Sequence, residues 1–247
     1  MGRKLLPNAL LSSCIMNDSF IAINSHDAQT FNGYLSLPPT GTGPGLILIQ
    51  EIWGVNEHIR AVADQYAMDG YVVLAPDVYW RQQVGVDLGY DAAGTQLARQ
   101  YMTALDFPSA VNDLVSAAQA LRQRPEVQGK VGTIGYCMGG RLGFALAAQG
   151  AVDATVCYYG GGIQNMLALA PKVSGPILFH YAELDTHIPP EAVQAVRQAF
   201  SGRPNAQIHT YANVEHGFNC WRRPVYKQQA AALARGRTLQ WLSDTLA

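Results

Sequence analysis

Short apolar runs alternate with helical segments along this chain, and that alternation constrains the fold more than any other feature. The runs GLILIQ (45–50) and YVVLAP (71–76) are continuous and bounded by turn sequence, which is typical of strands buried on both faces. A helical segment, residues 56–70, lies between them. Strands that alternate with helices predict parallel βαβ units. We therefore predict an α/β fold with a mostly parallel central sheet and helices on both faces.

The same pattern continues to the end of the chain after a starting hairpin. Residues 19–25 and 31–38 read as the two strands of that hairpin. Further strands are predicted at 130–135, 154–160, 175–182 and 206–212, and further helices at 109–125, 138–150, 189–200 and 226–246. No internal repeat or linker interrupts this sequence of strands and helices, so residues 16–247 are predicted to form a single domain. Residues 1–15 are interpreted as an N-terminal extension or vector-derived sequence.

Composition excludes several classes of protein. The net charge is −1 with no basic cluster, which argues against a nucleic-acid partner. No apolar run approaches the ~18 residues that span a bilayer, so no membrane association is expected. The 4 cysteines are dispersed without a CxxC pair, which favours reduced thiols and a cytoplasmic location. We expect a monomer, with a dimer left open.

The segment GYCMGG (135–140) joins a predicted strand to a predicted helix and carries chemistry. A nucleophile between glycines in such a turn stands exposed at the carboxyl end of the sheet. The following helix directs its N-terminus at Cys137, which favours a thiolate, and the Met138 N–H is offered to an oxyanion. The alternative is that Cys137 is an inert buried cysteine in a tight turn.

A nucleophile needs a base, and the base needs an orienting acid. Asp185 follows one predicted strand and His216 follows the next, in the order nucleophile, acid, histidine. Asp185 alone could be a turn or N-cap residue, and His216 alone could be an ordinary loop histidine. The chain contains no HExxH motif and no Cys/His pair at zinc-finger spacing, so neither metal nor cofactor is expected.

Several motifs together resemble the dienelactone hydrolases (carboxymethylenebutenolidases) of the α/β-hydrolase superfamily. They are QEIWGVNEHIR, APDVYWR, IGYCMGGR, CYYGGG, ELDTHIP and EHGFN, in the order of that family. The resemblance implies a triad of Cys137, Asp185 and His216. It also implies that Glu51 receives the thiol proton when substrate binds, and that the Ile52 N–H is the second oxyanion donor.

The resemblance further implies a small-molecule substrate, a lactone or enol ester opened through a thioester. Arg81 matches a family arginine that binds the substrate carboxylate, whereas Cys220 replaces a second one, and Arg222 or Arg223 is expected to supply that charge. Aromatic side chains are expected to line the pocket: Trp53, Tyr79, Trp80, Tyr158 and Trp221. Two alternatives stay open, a broader carboxylesterase or thioesterase with the same triad, and a redox-sensing or ligand-binding protein that uses Cys137.

Overall fold

A computed structural model describes residues 19–246 as an eight-stranded sheet with helices packed against it. The strands are β1 (Phe20–Asn24), β2 (Thr30–Ser36), β3 (Gly43–Ile49), β4 (Val72–Pro76), β5 (Val127–Tyr136), β6 (Ala154–Tyr158), β7 (Ile177–Ala182) and β8 (Ala206–Tyr211). The helices are α1 (Glu57–Met68), α2 (Ala92–Thr103), α3 (Phe107–Arg122), α4 (Met138–Ala148), α5 (Pro190–Ala199) and α6 (Gln228–Leu246). A 3₁₀-helix, Ile163–Lys172, follows β6.

The strand order is β1-β2-β4-β3-β5-β6-β7-β8. The β1–β2 and β2–β4 pairs are antiparallel, and every other neighbouring pair in this sheet is parallel. The predicted starting hairpin and the predicted mostly parallel sheet are therefore both confirmed. The predicted extension, residues 1–15, lies outside the described residues.

Helices cover both faces of the sheet, as alternate side chains of β3 indicate. Leu46 and Leu48 join an apolar cluster that includes side chains of α1 and α6. Ile47 and Ile49 point the other way, into a cluster that includes side chains of α3. All four are fully buried. Burial of both faces explains why β3 is a continuous apolar run rather than an alternating one.

Helix α2 and the 3₁₀-helix were not predicted from the sequence. Helix α2 buries only Ala98, so its sequence has no apolar stripe to mark it. Its start is set instead by the Asp91 side chain, which accepts a hydrogen bond from the Gly94 N–H as an N-cap. Both elements line the cavity described below, and within residues 19–246 no helix is long and apolar enough to cross a membrane.

Candidate active site

The turn between β5 and α4 holds Cys137 in a backbone conformation that most residues avoid. Its φ is 56° and its ψ is −115°, and its N–H donates to the Tyr158 carbonyl at 3.0 Å. Such strain persists only where the surroundings enforce it. The side chain of Cys137 is partly exposed at the carboxyl end of the sheet, at the N-terminus of α4.

Glycines make this turn possible because they let backbones approach closely. A Cβ on Gly135 would lie 1.9 Å from the Gly139 carbonyl oxygen. A Cβ on Gly139 would lie 2.4 Å from the carbonyl oxygen of Ile49, at the end of β3. Neither contact leaves room for a side chain, so the glycines bracketing Cys137 are required by the packing of α4 against two strands.

His216 and Asp185 are joined by a short hydrogen bond, 2.7 Å from Nδ1 to Oδ2. The other carboxylate oxygen of Asp185 accepts from the backbone N–H groups of His187 at 2.8 Å and Ile188 at 3.1 Å. Burial lowers the pKa of His216, but the neighbouring Cys137 and the bond to Asp185 outweigh burial and raise that pKa overall. The His216 imidazole therefore has an oriented tautomer and a stabilised protonated form.

Glu51 is a carboxylate buried beside these residues, at 2% exposure. Neither of its carboxylate oxygens has a hydrogen-bond partner among the described residues. Its nearest cation is Arg223, whose Nη1 is 3.7 Å from Oε1. Burial raises the pKa of Glu51 above its ordinary value of 4.5, against the opposing effect of Arg223 and His216. Burial thus makes this carboxylate a better proton acceptor than one in water.

A cavity of about 610 Å³ opens over Cys137, within the usual range of small-molecule sites. Cys137, His216, Ile52 and Met138 all line it. Neither the Ile52 N–H nor the Met138 N–H donates a hydrogen bond inside the described part of the chain. Both donors are thus available to an oxygen atom bound in the cavity. Trp53 also lines the cavity and donates from Nε1 to the Thr95 hydroxyl at 3.2 Å.

The structure does not bring Arg81 to this cavity, which corrects the expectation that it binds substrate. Its guanidinium is held by two carboxylates, with Nε 2.8 Å from Asp113 Oδ2 and Nη1 2.8 Å from Asp27 Oδ2. It also stacks over the Trp80 ring at 4.3 Å. Arg81 therefore ties its loop to α3 and to the turn of the β1–β2 hairpin, and its charge is already neutralised.

Of the other residues expected to bind substrate, some line the cavity and others do not. Arg223 lines the cavity over the Trp53 ring at 4.9 Å, whereas Arg222 is exposed and pairs with Glu57. Tyr158 is fully buried, and its hydroxyl is 2.7 Å from the Thr238 hydroxyl, so it is a core residue rather than a pocket residue.

The remaining expected aromatic residues also lie outside the cavity wall. Tyr79 is buried with its hydroxyl 3.4 Å from Met138 Sδ, and Trp80 donates from Nε1 to Asp113 at 2.8 Å. Trp221 packs against His58, with ring centroids 4.1 Å apart. Of the five aromatic residues expected in the pocket, only Trp53 lines it.

Several cavity residues were missed by the sequence analysis: Tyr90, Thr95, Arg99, Met102, Arg141 and His187. Arg141 carried a usable signal, since it is the single charge in the apolar helix α4 and lies near that helix's positive end. Thr95, Arg99 and Met102 carried no such signal, because α2, on which they lie, was not predicted. No group of three or more His, Cys, Asp or Glu side chains within residues 19–246 could hold a metal ion.

The fold and this site define a hydrolase of the α/β-hydrolase class. The family model described as the dienelactone hydrolase family matches residues 31–246. A carboxymethylenebutenolidase from Pseudomonas putida is 36% identical over 224 residues, which cover 90% of this chain and 95% of the relative. Carboxymethylenebutenolidase 1 from Cupriavidus pinatubonensis is 32% identical over 227 residues, with the same coverage.

Solved structures agree with the sequence relatives. A crystal structure from Klebsiella pneumoniae, assigned to the dienelactone hydrolases, has a TM-score of 0.78 and 26% identity, and the match covers 92% of this chain and 99% of that one. The chain therefore belongs to the dienelactone hydrolase family, and it is an enzyme that acts on ester bonds.

Proposed function

We propose that this enzyme opens a carboxylate-bearing lactone or enol ester with Cys137 as nucleophile, His216 as base and Asp185 as the acid that orients His216. The observation that carries the proposal is that one cavity is lined by Cys137, by His216 and by two residues, Ile52 and Met138, whose backbone N–H groups have no acceptor among the described residues. The names of the sequence relatives, carboxymethylenebutenolidases, support the substrate class.

The reaction begins with a proton transfer from Cys137 to Glu51 as substrate binds. The thiolate adds to the carbonyl carbon, a C–S bond forms, and the carbonyl oxygen becomes an oxyanion that accepts from the Ile52 and Met138 N–H groups. Collapse of this intermediate breaks the ring C–O bond, and the enol oxygen leaves as a conjugation-stabilised enolate. The product of this half-reaction is a thioester.

Water completes the cycle. His216 removes a proton from water, the hydroxide adds to the thioester carbonyl, and the C–S bond breaks. The thiolate of Cys137 recovers the proton held by Glu51, and His216 gives its proton to the enolate or to solvent. Asp185 keeps Nδ1 of His216 engaged throughout, so Nε2 is the nitrogen that exchanges protons.

Arg223 supplies the positive charge for the substrate carboxylate in this proposal. It lines the cavity, and a guanidinium suits a carboxylate because it can donate two parallel hydrogen bonds. Arg222 does not line the cavity and is paired with Glu57. The chain thus offers two adjacent arginines of which one is expected to bind substrate, and the other is a matched control.

The test is a substrate panel with purified enzyme: cis- and trans-dienelactone, neutral aryl esters and acyl-thioesters. We expect hydrolysis of the carboxylate-bearing lactones, reduced at least about 10³-fold in Cys137→Ala and His216→Ala. Arg223→Gln is expected to raise KM for the lactones about 10-fold or more, and Arg222→Gln to change it less than about 2-fold.

Two results would contradict the proposal. Turnover confined to neutral esters or thioesters would favour the broader esterase instead. Unchanged turnover of every substrate in Cys137→Ser and His216→Ala would remove the proposed nucleophile and base. Mass spectrometry of Cys137 after mixing with a slow ester provides a direct measurement, because the thioester adds the acyl mass to that residue.

A further inference from the structure

The cavity wall carries far more positive charge than one substrate carboxylate requires. Three arginines line it, Arg99, Arg141 and Arg223, and none of the described residues that line it is acidic. Only Arg223 has a carboxylate nearby, Glu51, at 3.7 Å. Within residues 19–246, neither Arg99 nor Arg141 forms an ion pair. Two arginines that line the cavity therefore lack a carboxylate partner among the described residues.

Arg141 is the more constrained of the two. Its Nε is buried and has no hydrogen-bond partner in the described chain. Its guanidinium stacks over the Phe107 ring at 4.7 Å, and its side chain passes so close to Gly162 that a Cβ there would lie 3.0 Å from Arg141 Cδ. A buried donor without a partner costs free energy, and an anion bound to the rest of the guanidinium would offset that cost.

The position of Arg141 in α4 adds to that cost. Arg141 follows Met138, the first residue of α4, by three positions, where the helix dipole is unfavourable for a cation. No acidic residue lies in this first turn to compensate. Arg141 thus has an unfavourable location, an unpartnered buried donor and a face on the cavity.

Arg141 and Arg223 contact different segments of the chain around the cavity. Arg141 contacts Phe107 and Gly162, at the starts of α3 and the 3₁₀-helix. Arg223 contacts Trp53 and Glu51, on the loop after β3. The two guanidinium groups share none of these contacts, so each is held in place independently of the other.

We propose that Arg141 forms a second anion subsite, and that the enzyme prefers ester substrates whose acyl part carries two carboxylates. One carboxylate binds Arg223 and the other binds Arg141. Arg99, which is exposed on α2, adds positive charge to the same cavity. The proposal rests on the proposed function, because it assigns an additional binding group to that reaction.

The experiment uses three phenyl esters that share a leaving group and differ in acyl charge. They are phenyl butyrate, the monophenyl ester of succinic acid, and a monophenyl ester of propane-1,2,3-tricarboxylic acid, with zero, one and two carboxylates. We expect kcat/KM of the wild type to rise along this series. Arg141→Gln is expected to lower kcat/KM about 30-fold for the ester with two carboxylates and less than about 3-fold for the ester with one.

Two further variants sharpen the result. Arg141→Lys keeps the charge and loses the planar fork, so a partial recovery for the ester with two carboxylates is expected. Arg222→Gln removes an arginine outside the cavity and is expected to leave the ratio between the two esters unchanged. An equal loss for both esters in Arg141→Gln, or no wild-type preference for the second carboxylate, would overturn the subsite.

Binding measurements separate this proposal from the proposed function. Calorimetric titration of the wild type and Arg141→Gln with butyrate, which has one carboxylate, and with succinate, which has two, requires no turnover. We expect succinate to bind the wild type at least about 10-fold more tightly than butyrate, and to bind the variant no more than about 2-fold more tightly. If this binding preference is observed but no ester is hydrolysed, the subsite is supported and the proposed reaction is contradicted. If esters are hydrolysed but the binding preference is absent, the reaction is supported and the subsite is contradicted.

Discussion

Glu51 is a carboxylate kept out of water without a hydrogen-bond partner in the described chain. Such a group makes the folded protein less stable when it is ionised, because the unfolded chain solvates the charge better. The cost agrees with the proposed role of Glu51 in accepting the thiol proton. In that proposal the same residue links activity to stability.

Glu51→Gln is expected to stabilise the protein in a pH-dependent way. The folded state binds more protons than the unfolded state between the ordinary pKa of 4.5 and the raised folded pKa, so wild-type stability falls as pH rises through that window. The variant lacks this titration. Urea unfolding should show a gain of about 1–3 kcal/mol at pH 8 and none at pH 4.

The control for this measurement is Glu57→Gln, since the Glu57 side chain is 72% exposed. It should change the free energy of unfolding by less than about 0.5 kcal/mol at either pH. A Glu51→Gln variant whose gain is the same at pH 4 and pH 8 would contradict the assigned cause.

At the scale of elements, the active site depends on how closely α4 approaches the sheet. Gly139 lies against the carbonyl of Ile49, and Gly135 lies against Gly139 itself. Gly143, one turn further along the same helix, has ordinary spacing, because a Cβ there would be 3.8 Å from its nearest neighbours. A Cβ on Gly140 would lie 2.9 Å from the Tyr158 carbonyl oxygen, so α4 contains two glycines that packing requires, Gly139 and Gly140, and one that it does not, Gly143.

Gly139→Ala and Gly143→Ala are expected to have opposite effects on stability. The first forces α4 away from β3 and should cost about 3 kcal/mol, with loss of activity. The second replaces a flexible residue by a better helix former and should stabilise by about 0.5–1 kcal/mol with activity retained. Urea unfolding and ester hydrolysis measure both, and equal destabilisation by the two changes would contradict this packing.

Features of the fold and site that depend on neighbouring residues could be predicted from the sequence, whereas those that depend on contacts between distant segments could not. The strands were predictable because burial on both faces requires continuous apolar runs. The strained turn at Cys137 was predictable because Gly135 and Gly139 lie within two residues of it. The location of Arg81 was not, since its partners Asp27 and Asp113 come from distant segments. Tyr158 was likewise expected to line the pocket, but its hydroxyl is hydrogen-bonded to the hydroxyl of Thr238, 80 residues away in the chain.

At the scale of the whole molecule, the net charge is only −1, but the arginines are distributed unevenly. Three arginines converge on the cavity, whereas Arg81, Arg122 and Arg124 are paired with carboxylates elsewhere. Positive potential focused in a cleft raises the local concentration of anionic substrates. We therefore expect the cavity charge to favour anionic substrates before any hydrogen bond forms.

Ionic strength is expected to separate anionic from neutral substrates. Between about 20 mM and 500 mM NaCl, kcat/KM for a carboxylate-bearing ester should fall about 10-fold, because salt screens attraction over more than a few ångströms. The neutral phenyl ester should change less than about 2-fold. Parallel salt dependence for both substrates would show that the cavity charge does not guide binding.

The contact between Gly139 and the end of β3 has a consequence for how such enzymes change their specificity. The two N–H groups proposed to bind the oxyanion belong to Met138, beside Gly139, and to Ile52, on the loop that leaves β3, and the main-chain contact at Gly139 limits how closely these two segments approach. Side chains on the rest of the wall take no part in that spacing. We therefore expect substitutions at Arg99 or Arg141 to change which acids the enzyme accepts while the spacing of the two N–H groups is kept.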